Sequence, residues 1–304
     1  HYKLVDVMSG WIPATEDCSL VDLLSEIANF ETVLITSEIF CLIEDQHLQA
    51  FRDTFNAFQI DVVFYLRHPI NVWPSHWQEL IKHGSDVTFA DYLLAMHGHV
   101  ASNKAYGFAP TPTLPNEQIR RLCGVFGVNS LKVFVYENTL GSGEDLFDCC
   151  CRSCVHAREF EFADEPQIVN ASFTSDQVEM IRQLNQMYAL EHGKMASLRL
   201  RQEYLKNFRS EEPGEAYQGF VDAFGANAKS LRLSGDMPLI KNLYAELADE
   251  FGSVIINRHS DRRILTQPVA DRHVTYGSND WIFHSEQREN IRHVYTDLMQ
   301  SLGE

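Results

Sequence analysis

The chain has 304 residues, 45% of them hydrophobic, which is enough for one large domain with a sizeable core. Its formal net charge of -17 argues against general binding to nucleic acid or to anionic membranes, although it allows one locally basic pocket for a small anion. No apolar run approaches the ~20 residues that a membrane-spanning helix requires.

The first half of the chain alternates short apolar runs with helical patterns. The runs "ETVLITSEIF", "IDVVFYL" and "LKVFVYE" predict three buried strands, at 31–40, 60–66 and 131–137. Helical spacing predicts helices in "LQAFRDTFNAF", "WQELIKH", "TFADYLLAM" and "NEQIRRLCGVFG", the last of which ends at Gly127, and the prolines of "KAYGFAPTPTLPN" predict a loop. This alternation predicts an α/β fold with a parallel central sheet flanked by helices.

The second half of the chain reads as largely helical. The segment "TSDQVEMIRQLNQMYALEHGKM" predicts a helix with Thr174 or Ser175 as its N-cap. Further helices are predicted in "GEAYQGFVDAFGANAKSL", "MPLIKNLYAELADEFG" and "SEQRENIRHVYTDLMQSL". We predict a single domain over residues 1–304, with the α/β core at about 30–160 and the helical part at about 160–304.

The cysteines indicate a reducing environment. There are seven, and four of them lie between positions 149 and 154, which does not match a secreted disulfide framework. The prediction is therefore a cytoplasmic protein. Cys151 and Cys154 have the spacing of a zinc-binding pair, but no second CxxC or HxxxH pair accompanies them, so we predict a cysteine-rich helix face and no metal site.

Polar residues follow the predicted strands where a parallel sheet binds its ligands, beyond the carboxyl ends. Arg67 ends one strand, and an arginine there can fork two hydrogen bonds to a phosphate. Ser75 lies one to two turns into the next helix, with Asn71 as a plausible N-cap that keeps Pro74 in the first turn. Arg67 and Ser75 together predict a phosphate clamp. The alternative is that Arg67 pairs with a carboxylate and Ser75 has no role beyond the helix.

Four segments in order resemble the PAPS-dependent sulfotransferases, enzymes that use 3′-phosphoadenosine 5′-phosphosulfate (PAPS). The strand-Arg-Pro-Ser spacing of "VVFYLRHPINVWPSHW" resembles their 3′-phosphate-binding segment, and "LKVFVYENTL" is similar to a later strand that ends in Tyr-Glu near the adenine. "VLITSEIF" resembles a strand of the bacterial, carbohydrate-type branch that ends in Ser-Glu, and "VNASFTSDQVEMIRQLN" is similar to a segment of that branch. The resemblance covers residues 30–190.

The resemblance implies a P-loop NTPase-like sulfotransferase fold and a transferase that moves a sulfuryl group from PAPS to a hydroxyl, most simply on a carbohydrate. The product left behind would be adenosine 3′,5′-bisphosphate, and no metal is implied. On this resemblance Arg67 and Ser75 hold the 3′-phosphate, Tyr136 contacts the adenine, and Glu38 is the catalytic base. His68 and His76 are the alternative bases, and a Glu38 that only pairs with an arginine is the third reading.

Two elements of that family do not occur in this sequence: the Lys-Ser/Thr-Gly-Thr-like loop for the 5′-phosphosulfate and the C-terminal Arg-Lys-Gly element. The resemblance would place the loop before His1, so we expect a truncated chain in which contacts to the leaving phosphate are largely missing. Arg262, Arg263 and Arg272 are candidates for the missing positive charge. Two alternatives stay open. One is a non-catalytic nucleotide- or glycan-binding protein on a degenerate copy of the fold, and the other is a phosphoryl-transferring P-loop enzyme.

Overall fold

The computed structural model describes residues 20–35, 40–41, 43–97, 114–136, 173–196, 199–200, 202–203, 215–256 and 270–302. Within these residues, no helix combines the length and the apolar character needed to cross a bilayer. They group into two compact units whose segments interleave along the chain. The first unit draws on His1–Pro69, Gly107–Glu165 and Pro238–Pro268, and the second on Ile70–Tyr106, Pro166–Met237 and Val269–Glu304. The predicted single domain stays a prediction.

The described elements are a mixture of helices and strands, with helix the more abundant. The helices are α1 (Leu20–Ile27), α2 (Asp45–Thr54), α3 (Pro69–Lys82), α4 (Phe89–His97), α5 (Pro115–Phe126), α6 (Ser175–His192), α7 (Glu215–Asn227), α8 (Pro238–Phe251) and α9 (Ser285–Leu302). The strands are β1 (Val62–Leu66), β2 (Leu131–Val135), β3 (Lys229–Leu233), β4 (Ile255–Ile256) and β5 (Arg272–Tyr276). The coarse prediction of a mixed α/β chain is confirmed.

The first unit contains a parallel sheet with the strand order β1-β2-β4. Strands β1 and β2 pair along their whole length, from Val62 opposite Leu131 to Leu66 opposite Val135. Their valine, phenylalanine and leucine side chains suit a pleated and largely buried surface. The predicted strands at 60–66 and 131–137 are therefore confirmed over Val62–Leu66 and Leu131–Val135, as is their parallel arrangement. The register also aligns the two carboxyl ends.

The helices of the first unit pack through small apolar clusters. Ile27, Phe51 and Phe55 form one of these, and Arg52 on α2 donates from Nη1 to the carbonyl of Val125 at 2.8 Å, in the last turn of α5. Helix α5 ends at Phe126 and has Gly127 as its C-cap, whose φ of 87° lies in the region that glycine adopts without strain. The predicted end of this helix is confirmed.

The predicted strand at 31–40 is wrong in its described part. Residues 31–35 pair with no other described strand, and Val33 and Leu34 are 43% and 40% exposed. Ile35 instead packs against the cluster around Phe51 and Phe55. A short β-branched run has the same pattern whether it enters a sheet or only contributes an anchoring side chain to a core, so periodicity alone does not separate the two. Residues 36–39, including Glu38, lie outside the described residues.

Helix α3 begins two residues earlier than its predicted N-cap. Its first residue is Pro69, a position where the missing N–H costs nothing. Asn71 is therefore not the N-cap but lies within the helix, and its Oδ1 accepts a long hydrogen bond of 3.4 Å from Arg272 Nη1. Pro74 falls beyond the first turn, where proline cannot donate to the carbonyl of Ile70 as other residues do.

The second unit has helix α6 at its centre and an antiparallel strand pair that the sequence did not predict. Helix α6 starts with the predicted cap: the backbone N–H of Thr174 donates to Gln177 Oε1 at 3.0 Å in a capping box. Strands β3 and β5 pair from Lys229 opposite Tyr276 to Leu233 opposite Arg272. The predicted helix "GEAYQGFVDAFGANAKSL" ends at Asn227 because the next residues alternate polar and apolar with the period of a strand.

Candidate functional site

Arg67 and Tyr136 lie side by side at the carboxyl edge of the parallel sheet. Each directly follows the last paired residue of its strand, Leu66 in β1 and Val135 in β2. The guanidinium of Arg67 lies over the ring of Tyr136, with 5.1 Å between Cζ and the ring centroid. The structure thus brings two of the predicted site residues into contact where open α/β sheets bind ligands.

The guanidinium of Arg67 has unused hydrogen-bonding capacity. Its Nε is buried and has no hydrogen-bond partner. Among the described residues, no carboxylate pairs with Arg67, which is the contact that the alternative interpretation required. Leaving a buried donor unsatisfied costs about 1–3 kcal/mol, and a cation over an aromatic face recovers about 0.5–2 kcal/mol. Arg67 is therefore placed to accept an anionic ligand.

Ser75 belongs to the second unit and is half-buried on α3. Its hydroxyl donates to the carbonyl of Asn71 at 3.0 Å, the usual contact of a helical serine with the preceding turn. Since a serine hydroxyl has one proton, donation to a phosphate would require rotation away from Asn71. Arg67 and Ser75 fall in separate units, and their sharing of one phosphate stays a prediction.

The catalytic base also stays a prediction, because Glu38 lies outside the described residues. Its two rivals are described. His68 is buried, and its ring lies 5.0 Å from that of Tyr244, centroid to centroid. His76 is hydrogen-bonded through Nδ1 to the Tyr92 hydroxyl at 3.0 Å. Both histidines thus pack against tyrosines within their own units.

Burial holds the pKa of His76 at about 4, below its ordinary 6.5, and Glu79 opposes this shift only in part. The imidazole is neutral at physiological pH, and burial also raises the pKa of its partner Tyr92. A base with so low a pKa is a weak proton acceptor. The position of His76 is better explained by packing than by catalysis.

The depressed pKa of His76 predicts a loss of stability in acid. The unfolded chain protonates His76 near pH 6.5 and the folded chain only near pH 4. The free energy of unfolding is therefore unaffected by this group above pH 6.5 and decreases as the pH falls from 6.5 to 4. The maximum loss is about 3 kcal/mol. In urea unfolding at pH 7.0 and 4.5, His76→Gln, which retains an acceptor for Tyr92, should flatten this dependence. His83→Gln, at an exposed histidine that follows the same helix, should leave the pH dependence of the free energy of unfolding unchanged. An equal pH dependence in the wild type and in His76→Gln would contradict the depressed pKa of His76.

A buried polar network in the second unit was not predicted from the sequence. Arg182 on α6 donates to Glu179 Oε2 at 2.8 Å, to Asn279 Oδ1 at 2.7 Å and to the carbonyls of Asp86 at 3.0 Å and Ser278 at 3.2 Å. Glu179 and Arg182 have no exposed side-chain surface. The sequence pattern that could have indicated this network is a Glu and an Arg three residues apart on a helix. Such pairs usually lie on the solvent-exposed face, so the pattern does not predict burial. This network ties together three segments of the unit and is structural.

Within the described residues, no group of three or more histidine, cysteine or acidic side chains forms a candidate metal site. The cluster from Cys149 to Cys154 lies outside them. Cys41 and Cys123 are unbridged and half-buried, and burial raises the pKa of the Cys123 thiol. A thiol with a raised pKa is a poor nucleophile and metal ligand at neutral pH.

Comparison of the chain with protein-family models, with curated proteins and with solved structures finds no significant match.

Proposed function

We propose that this chain is a PAPS-dependent sulfotransferase on a P-loop NTPase-like fold, which transfers a sulfuryl group to a hydroxyl, most simply on a carbohydrate. The observation that carries the proposal is the contact between Arg67 and Tyr136 at the aligned carboxyl ends of two parallel strands. An arginine with free donors suits a phosphate, and a neighbouring aromatic ring suits an adenine. A nucleotide that carries a phosphate near its base offers the phosphate to Arg67 and the base to Tyr136.

The lack of an acidic partner for Arg67 strengthens this argument. The protein has 42 acidic and 25 basic residues, so a half-buried arginine has many carboxylates available. Six other arginines of the described residues pair with acidic side chains: Arg52 with Asp53, Arg120 with Glu250, Arg121 with Asp45, Arg182 with Glu179, Arg232 with Asp271 and Arg292 with Glu289. Arg288, which has no such pair among the described residues, is exposed and donates to the carbonyl of Ile282, whereas Arg67 is half-buried. An arginine that stays unpaired in so acidic a chain favours an anionic ligand.

In the proposed reaction, the acceptor hydroxyl oxygen attacks sulfur while the bond from sulfur to the bridging phosphate oxygen breaks. Glu38 takes the hydroxyl proton, and adenosine 3′,5′-bisphosphate leaves with the bonding electrons. Arg67 holds the 3′-phosphate, and Tyr136 positions the adenine. One face of the Tyr136 ring already carries Arg67, so an adenine that stacks on this face replaces the guanidinium.

Removing the guanidinium should weaken nucleotide binding. Calorimetric titration with adenosine 3′,5′-bisphosphate should show an affinity at least about tenfold lower for Arg67→Ala, because charged hydrogen bonds are lost. Arg120→Ala is the matched control, since Arg120 also lies over an aromatic ring, that of Phe251, at 6.0 Å in the same unit. An unchanged affinity for Arg67→Ala would overturn the site. Binding without transfer of labelled sulfate from PAPS would favour the non-catalytic nucleotide-binding protein.

A further inference from the structure

The contact between Arg67 and Tyr136 covers the surface that a nucleobase would use. The guanidinium carbon lies 5.1 Å from the ring centroid, over the face of the ring. Nucleobases stack on such faces with little dependence on their identity. In the unliganded protein, a base that stacks on this face of Tyr136 therefore competes with the guanidinium.

The two kinds of ligand meet this competition differently. A nucleoside without a phosphate must displace the guanidinium and offers it no anionic acceptor in return, so the cation–π attraction is lost. A nucleotide brings phosphate oxygens, which accept paired hydrogen bonds from a guanidinium and satisfy the buried Nε. Moving Arg67 off the ring is then unfavourable for the nucleoside and favourable for the nucleotide.

We propose that Arg67 determines specificity by covering the Tyr136 ring until a phosphate group draws the guanidinium away. The site then rejects unphosphorylated nucleosides and admits nucleotides that bear a phosphate within reach of Arg67. Discrimination comes from a contact that the unliganded protein already makes and that the right ligand replaces. This inference rests on the proposed function, since it concerns the same nucleotide site.

The test is whether Arg67→Ala raises the affinity for adenosine and lowers the affinity for adenosine 3′,5′-bisphosphate. With adenosine and adenosine 3′,5′-bisphosphate as probes, measured by ligand-observed NMR and calorimetry, Arg67→Ala should bind adenosine about threefold more tightly or better, because the cover is gone. The same variant should bind the bisphosphate at least about tenfold less tightly. Arg67→Ala/Tyr136→Ala should lose the gain for adenosine, and Arg120→Ala should change neither affinity.

A second measurement uses the unaltered protein, so it holds even where Arg67→Ala does not fold. Inorganic phosphate should raise the affinity for adenosine, and potassium chloride of equal ionic strength should not. Loss of both affinities in a folded Arg67→Ala, or no effect of phosphate on adenosine binding, would overturn the specificity role and leave the nucleotide site standing. Failure of the wild type to bind the bisphosphate would overturn the proposed function itself.

Discussion

Arg182→Ala should destabilise the second unit by about 3–5 kcal/mol, measured as the free energy of unfolding in urea. The guanidinium is fully buried against Glu179, which is also fully buried. Its loss leaves a carboxylate without its counter-charge and the carbonyls of Asp86 and Ser278 without their donor. Breaking a buried pair by removing one partner is costly for this reason.

Two companion variants separate the buried charge from simple loss of volume. Arg182→Met combined with Glu179→Met removes both charges and should be more stable than Arg182→Ala alone. Arg232→Ala breaks an ion pair with Asp271 at the surface of the same unit and should leave the unfolding midpoint nearly unchanged. An Arg182→Ala protein that unfolds like the wild type would show that the network is not formed in solution.

Glu38→Gln should lower sulfuryl transfer from PAPS by about 10²–10⁴-fold and leave the affinity for adenosine 3′,5′-bisphosphate unchanged. Glutamine keeps the size and one acceptor oxygen of the side chain, but it cannot take up the acceptor's proton. The readout is transfer of labelled sulfate, with bisphosphate binding measured on the same preparation.

Glu44→Gln, at an exposed residue just before α2, is the matched control for Glu38→Gln and should transfer at the wild-type rate. Near-normal turnover of Glu38→Gln would exclude Glu38 as the base and bring the histidines forward. His68 would then be the stronger of the two, because His76 has a pKa of about 4 and is bound to Tyr92 through Nδ1.

The sequence predicted the two long parallel strands because apolar runs bounded by polar residues are a local signal. It also predicted that Arg67 and Tyr136 would share an edge, since parallel strands that pair from their first residues align their carboxyl ends. The contact between the two side chains was not predictable. It depends on the rotamers of Arg67 and Tyr136, which no spacing in the sequence encodes.

The features that the sequence did not predict have the same physical origin, because each depends on contacts between segments that are distant along the chain. The two-residue strand β4 has no pattern of its own and exists through its pairing with Val133 and Phe134. Strand β3 was read as part of a helix because its partner β5 lies 39 or more residues away along the chain. The burial of Arg182 on α6 likewise depends on distant segments, because it donates to the backbone carbonyls of Asp86 and Ser278.

The most direct test of the nucleotide site is a crystal structure of the protein with adenosine 3′,5′-bisphosphate. The proposed site predicts phosphate oxygens within hydrogen-bond distance of the Arg67 guanidinium, including Nε, with the adenine against Tyr136 and the guanidinium moved off the ring. A bisphosphate bound elsewhere, with Arg67 still lying over Tyr136, would contradict it.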